Sequence, residues 1–151
     1  MKAQRRGRRI AMTPEEVDDF LEQERTCRVA TVNGDGSPHV SPLWFVWIDG
    51  ALWLNSVVKS QRWVNLQRDP RISVIVDGGE AFTELRGVEM IGEASPVADV
   101  PRSATPDESV RAVEEHYGQK YLAGPFVADG AHAWVRLVPT KVVSWDFRKM
   151  G

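Results

Sequence analysis

Short apolar runs broken by turn residues divide most of the chain into extended segments, with three stretches of helical spacing set among them. Val17, Phe20 and Leu21 recur three and four positions apart and predict a helix. Thr13-Pro14-Glu15-Glu16 introduces it, a threonine cap followed by proline at the first helical position and glutamate three residues on. It ends near Glu24 or Arg25. At Cys27 the period changes: residues 27–32 predict a first strand, Asn33-Gly34-Asp35-Gly36 a turn, and residues 37–48 a second strand. After Pro42 that second strand is apolar on both faces, as in a strand covered from both sides. Pro42 has no N–H for a ladder, which predicts an edge or a bulge at this point. Asp49-Gly50 then turns the chain into a third strand, 51–56.

Ser60 or a neighbour caps a short helix that reaches about Arg68 and is stopped by Pro70. Residues 71–76 predict a fourth strand, Asp77-Gly78-Gly79 a turn, and residues 83–97 a long fifth strand. Gly87 and Gly92 inside it predict bulges or sharp coiling, the devices that close a sheet into a small barrel. Thr105-Pro106-Asp107-Glu108 repeats the helix-start signature, and Val110, Val113 and Tyr117 carry one face toward Lys120. Residues 131–138 predict a sixth strand and 141–147 a last extended piece. Some six antiparallel strands with three helices describe a mainly β, α+β fold, either an α+β barrel or an all-β barrel with helical insertions. The short turns exclude a doubly wound parallel sheet.

The 151 residues are the size of one domain, with residues 1–10 as a basic arm and 11–151 as the barrel. Lys2, Arg5, Arg6, Arg8 and Arg9 make that arm either a solvated terminus or a segment that folds over an anionic ligand or a partner subunit. A net charge of −2 argues against a nucleic-acid binder. A single cysteine, Cys27, forms no internal disulfide, and no apolar run approaches a membrane span or a signal-peptide core, so a cytoplasmic location is expected. His39, His116 and His132 are scattered, with no ligand spacing for a metal, and spacing alone nominates no catalytic acid, base or nucleophile.

The densest chemistry falls between the third strand and the second helix. Lys59, Ser60 and Arg62 place two cations and a hydroxyl at a helix start, where unpaired N–H groups and the helix dipole favour an anion. The bland reading of Lys59 and Arg62 is a pair of solvated helix charges. That of Trp44, Trp47 and Trp53 is core or dimer packing. Both stay open at this level.

Ser60-Gln61-Arg62, followed by Leu66 and Asp69-Pro70, resembles the phosphate-binding turn and helix of the FMN-binding split barrels, the pyridoxamine phosphate oxidase superfamily. Arg136-Leu137-Val138-Pro139 with Val143 and Trp145 is similar to that superfamily's last strand. From Thr13 to Val97, through residues 13–53, 59–71 and 84–94, the chain resembles the actinobacterial deazaflavin-dependent branch, which uses coenzyme F420. The resemblance implies a six-stranded antiparallel split β-barrel with about three helices, a homodimer with two cofactor sites at the subunit interface. It implies Lys59, Ser60 and Arg62 at the cofactor phosphate, with Gln61 in the middle of that turn. Ser41, Pro42, Leu43 and Trp44 would lie along the ring, and Asn55 and Ser56 would support the ring or its ribityl chain. FMN oxidases commonly carry arginine where Gln61 stands, and an amide is a poorer match to phosphate than an arginine fork. The implied activity is an F420-dependent oxidoreductase passing a hydride between the cofactor and a small unsaturated organic substrate, with the completing proton drawn from solvent. The alternatives are an FMN-dependent enzyme of the same fold and a non-catalytic flavin or haem binder.

Overall fold

In the computed structural model, which describes residues 1–150, Thr13 caps a helix over Pro14–Gln23, α1. The Thr13 hydroxyl accepts a hydrogen bond from the Glu16 N–H at 3.2 Å, and Glu16 Oε2 accepts one from the Thr13 N–H at 3.1 Å. Two helix-start donors are thereby satisfied reciprocally. Val17, Phe20 and Leu21 are its buried face.

Eight strands follow rather than six: Cys27–Val32 (β1), Pro38–Leu43 (β2), Val46–Ile48 (β3), Ala51–Val57 (β4), Arg71–Gly78 (β5), Arg86–Val97 (β6), His132–Leu137 (β7) and Lys141–Asp146 (β8). Gln61–Arg68 (α2) lies between β4 and β5, and Glu108–Tyr117 (α3) between β6 and β7. The strands pair antiparallel in the order β2-β1-β5-β6-β7-β4-β3, with β8 also on β6. β6 joins the two halves: residues 86–93 pair with β5, 86–91 also with β8, and 94–97 with β7. The order ends on β2 at one side and β3 at the other with no ladder between them, which leaves the barrel split between β2 and the β3–β4 hairpin.

Two of the eight strands come from segments the sequence pattern joined or left aside. The expected strand 37–48 breaks at Trp44 and Phe45. There the Tyr121 hydroxyl accepts from the Phe45 N–H at 3.1 Å and faces the Phe45 and Arg25 carbonyls at 2.8 Å each, so a phenol replaces the ladder. The last extended piece is the full strand β8. Smaller boundaries also differ. Phe82–Glu84 is a 3₁₀ turn ahead of β6. α3 is capped by Asp107, whose side chain accepts from the Ser109 N–H at 2.9 Å, and not by Thr105. The Thr105 carbonyl is instead held by Arg102 Nη1 at 2.7 Å, upstream of the helix.

Gly87 and Gly92 make no bulge, since the register of β5 against β6 runs through both without a skipped residue. They allow close approach instead. A Cβ at Gly87 would meet the Trp145 ring at 2.1 Å, and one at Gly92 would meet Leu137 Cδ1 at 2.8 Å.

The main core lies inside the barrel and takes in α1 and α2 through Phe20, Leu21, Trp63 and Leu66. A second, smaller core under α3 packs Val46, Trp53, Val110, Val113 and Trp134. On the outer face of β2, β1 and β5, Val40 is 68% exposed and Ile75 half-buried. The arm lies along β8: the Lys2 N–H donates to the Thr140 carbonyl at 2.8 Å, and the Gln4 side chain bonds the Ser144 N–H and C=O at 3.0 Å each. No helix is long and apolar enough to cross a membrane among the described residues.

Candidate functional site

α2 begins where β4 ends, and its position across the split follows from its sequence. Ser60 caps it, accepting from the Trp63 N–H at 3.1 Å and donating to the Val57 carbonyl at 2.7 Å. Trp63 and Leu66 anchor the helix in the core. Asn65, fully buried, donates to Thr31 Oγ1 at 3.0 Å and Asn33 Oδ1 at 2.9 Å, and accepts from Gln61 Nε2 at 2.8 Å. Arg68 donates to the Val32 carbonyl. These bonds fix α2 on the β1–β2 hairpin.

With the helix so held, Arg62 points inward and bridges the split. Its Nη1 donates to Ser41 Oγ on β2 at 2.7 Å and its Nε to Ser56 Oγ on β4 at 3.1 Å. Ser60 Oγ lies 3.4 Å from Ser56 Oγ. The side chain is only 8% exposed, and among the described residues no carboxylate pairs with it. Burial lowers its pKa, yet a guanidinium keeps its charge in any protein setting. A buried cation neutralised by nothing but hydroxyls is costly, and a bound anion would offset that cost. Lys59 stands exposed just before the cap, with no carboxylate partner among the described residues, and the first N–H groups of α2 have no intrahelical acceptors.

The expected site residues therefore divide. Ser41, Ser56, Ser60 and Arg62 meet in one cluster, and Lys59 and Gln61 flank it on the surface. Leu43 packs on the main core. Pro42 faces the bare outer side of the sheet, opposite Arg28 in register. Asn55, next to Ser56 in a regular strand, falls on the opposite face of β4. There its Oδ1 is buried without a hydrogen-bond partner. The adjacent Tyr117 phenol has its pKa raised by burial, with the Asn55 amide acting against that. His39 Nδ1 is the other buried orphan, two positions before Ser41 on the same face of β2.

Trp44, at the break after β2, is 43% exposed. Tyr121 stacks on one of its faces, with centroids 4.5 Å apart and planes at 7°. Tyr117 completes the aromatic group, 6.2 Å from Trp44 and 5.1 Å from Tyr121. Tyr121 and Lys120 lie in a π-helical turn, Gly118–Leu122, that continues α3. A Cβ at Gly118 would come 2.3 Å from the Gly124 carbonyl oxygen, so the turn depends on that glycine. Lys120 Nζ donates to the Leu21 carbonyl at 3.0 Å and sits 4.1 Å from the Phe45 ring centroid. Burial pushes its pKa down to about 8. The sequence pattern offers Tyr117 only as a helix-face residue and does not single out Lys120, Tyr121 or Asn65. Asn65 was detectable, as a polar residue three positions from Arg62 on the apolar face of α2.

Cys27 is buried, and burial pushes its thiol up to about 12, which makes it inert as a nucleophile. His116 pairs with Glu22 at 2.8 Å and His132 with Asp129 at 2.5 Å. The arrangement can hold an anion at the start of α2, and the cationic cluster there fits the phosphate end of a flavin-like cofactor. Trp44, at the break after β2, presents exposed apolar surface.

Residues 13–146 match the family model described as pyridoxamine 5'-phosphate oxidase. Among solved structures, the conserved hypothetical protein Rv2991 from Mycobacterium tuberculosis is similar with a TM-score of 0.79 and 33% identity, over 99% of this chain and 93% of that one. HutZ, the haem storage protein from Vibrio cholerae, shares the fold with a TM-score of 0.70 and 20% identity, over 87% and 94% of the two chains. An F420 reductase does so at 0.60 and 21%, over 86% and 98%. No curated protein sequence matches.

Proposed function

The chain belongs to the pyridoxamine 5'-phosphate oxidase family, and on that premise we propose that it is an oxidoreductase that holds coenzyme F420 at the α2 corner and serves a small unsaturated organic substrate. Arg62 carries the reading: a buried guanidinium spans the split of the barrel on two serine hydroxyls, with no carboxylate to neutralise it among the described residues. When bound, the deazaflavin supplies the hydride. The protein's residues bind and orient. Lys59 and the first N–H groups of α2 meet the anionic end, Arg62 holds charge beneath it, and Ser41 and Ser56 lock the guanidinium. Trp44 offers the ring an apolar seat, whereas Pro42 and Asn55 point from the opposite faces of β2 and β4 and make no direct contact in this arrangement. The completing proton comes from solvent.

Gln61 favours F420 over FMN. Its amide is engaged with Asn65 at 2.8 Å, so no second guanidinium stands in the phosphate turn. The homodimer belongs to the same reading. A second copy seated on the face around Val40 and Pro42 would bury that exposed apolar surface. Titrating the purified chain separately with F420, FMN and haem, and then adding an electron acceptor or donor, tests the proposal. Tight F420 binding with turnover is expected. Haem or FMN binding in preference to F420, or F420 binding without any turnover, would overturn it.

A further inference from the structure

A cavity lies at the other end of the barrel from the α2 corner. Gly50, at its lip, immediately precedes β4, whereas Ser56, beneath Arg62, is near its close; six steps along the strand separate them by about 20 Å. The cavity holds about 800 Å³, within the range of small-molecule sites. Its floor is apolar: Met12, Trp47 and Val142 pack from it onto the main core, and Val17 belongs to that core. The basic arm forms its roof, fixed to β8 by the Lys2 N–H and the Gln4 side chain.

Charge at the rim is uneven. Lys2 and Arg8 line the cavity and have no carboxylate partner among the described residues; Arg8 Nε reaches only the Gln4 carbonyl, at 3.2 Å. Asp18 is the one acidic group lining it, and it accepts from the Trp47 indole N–H at 2.8 Å. Two cations against one engaged carboxylate leave the rim net positive. The apolar floor disfavours a bare phosphate or a sugar, and the cationic rim disfavours a neutral hydrocarbon relative to one that ends in a negative charge.

We propose that this cavity is a binding site, separate from the α2 corner, for an amphipathic organic anion: an acyl or aryl body on Met12, Val17, Trp47 and Val142, with a single carboxylate between Lys2 and Arg8. The arm is then the wall of a pocket, and its basic residues are the selective element.

Isothermal titration calorimetry on the full chain with decanoate and with decanol, its uncharged counterpart, tests the site. Decanoate is expected to bind once per chain, and the double variant Lys2→Glu, Arg8→Glu to weaken it at least tenfold while leaving decanol unchanged. Both reversed residues are exposed and outside the core, so folding is preserved. Ala11→Trp, which fills the cavity, is expected to weaken both ligands. Arg62→Met is expected to leave decanoate binding intact, which separates this site from the cofactor corner. Absence of decanoate binding, equal binding by the charge-reversed variant, or loss of binding in Arg62→Met would each overturn the proposal.

Discussion

Two arginines are buried among the described residues, and their surroundings are opposite. Arg102, 4% exposed, is surrounded by acceptors: Glu114 takes two bonds at 2.7 and 3.0 Å, Asp99 one at 3.1 Å and the Thr105 carbonyl one at 2.7 Å. The bond to Glu114 raises its pKa. Arg62, 8% exposed, has two serine hydroxyls and a pKa lowered by burial. The first cation is complete within its own chain and ties the 99–105 loop to α3. The second is fixed in direction but not neutralised, the condition of a group preorganised for something that arrives from outside.

Removing each cation should break this contrast most visibly. Arg102→Met leaves the partly buried Glu114 without its cation and is expected to cost about 3–5 kcal/mol of stability, read by denaturant unfolding. Arg62→Met should leave the stability of the ligand-free chain within about 1 kcal/mol of wild type, because it removes a buried charge that had no counter-ion. The same substitution should cost about 2–5 kcal/mol in cofactor binding, measured by fluorescence titration. A comparable stability loss in both variants would erase the distinction.

Inorganic phosphate sharpens it further. At tenfold excess over its dissociation constant, phosphate should stabilise the wild type by about 1.4 kcal/mol and Arg62→Met not at all, in thermal melts. A third cation gives a pH-dependent contrast. Lys120 has only the Leu21 carbonyl and two aromatic faces, and burial pushes its pKa down to about 8. Between about pH 8 and the ordinary lysine value of about 10.4, the unfolded chain binds more protons at this site, so the site's contribution to stability rises with pH. The stability of wild type minus that of Lys120→Met should therefore increase across that window, in unfolding curves collected from pH 7 to 11. A flat difference would mean that Lys120 keeps its proton through the window.

Local signals in the sequence located most elements. The Thr13 capping box, the strands either side of Asp49-Gly50 and the Ser60 cap are all decided by residues within a few positions of each other. The break at Trp44 and Phe45 was not legible, because the phenol that satisfies it belongs to Tyr121, 76 positions on. The Thr105-Pro106 signature puts the start of α3 two positions early, because Asp107 competes as a cap and it is Asp107 that accepts from the Ser109 N–H. At the site, the residue types after β4 were visible, but their directions were not. The alternation of β4 sends Asn55 and Ser56 to opposite faces, and helical spacing puts Arg62 with Asn65 and Leu66 on the inward face. Both inferences need the element boundaries to the residue, which pattern alone left loose by one or two positions.

The way Gln4 is attached to β8 reaches beyond the pocket it helps to roof. A side-chain amide there imitates one rung of a neighbouring strand, so the outermost strand of the sheet is hidden by a segment held on a handful of bonds. A protease that clipped this segment would uncover backbone donors and acceptors able to recruit another extended chain, and the shortened protein would be the one prone to aggregate.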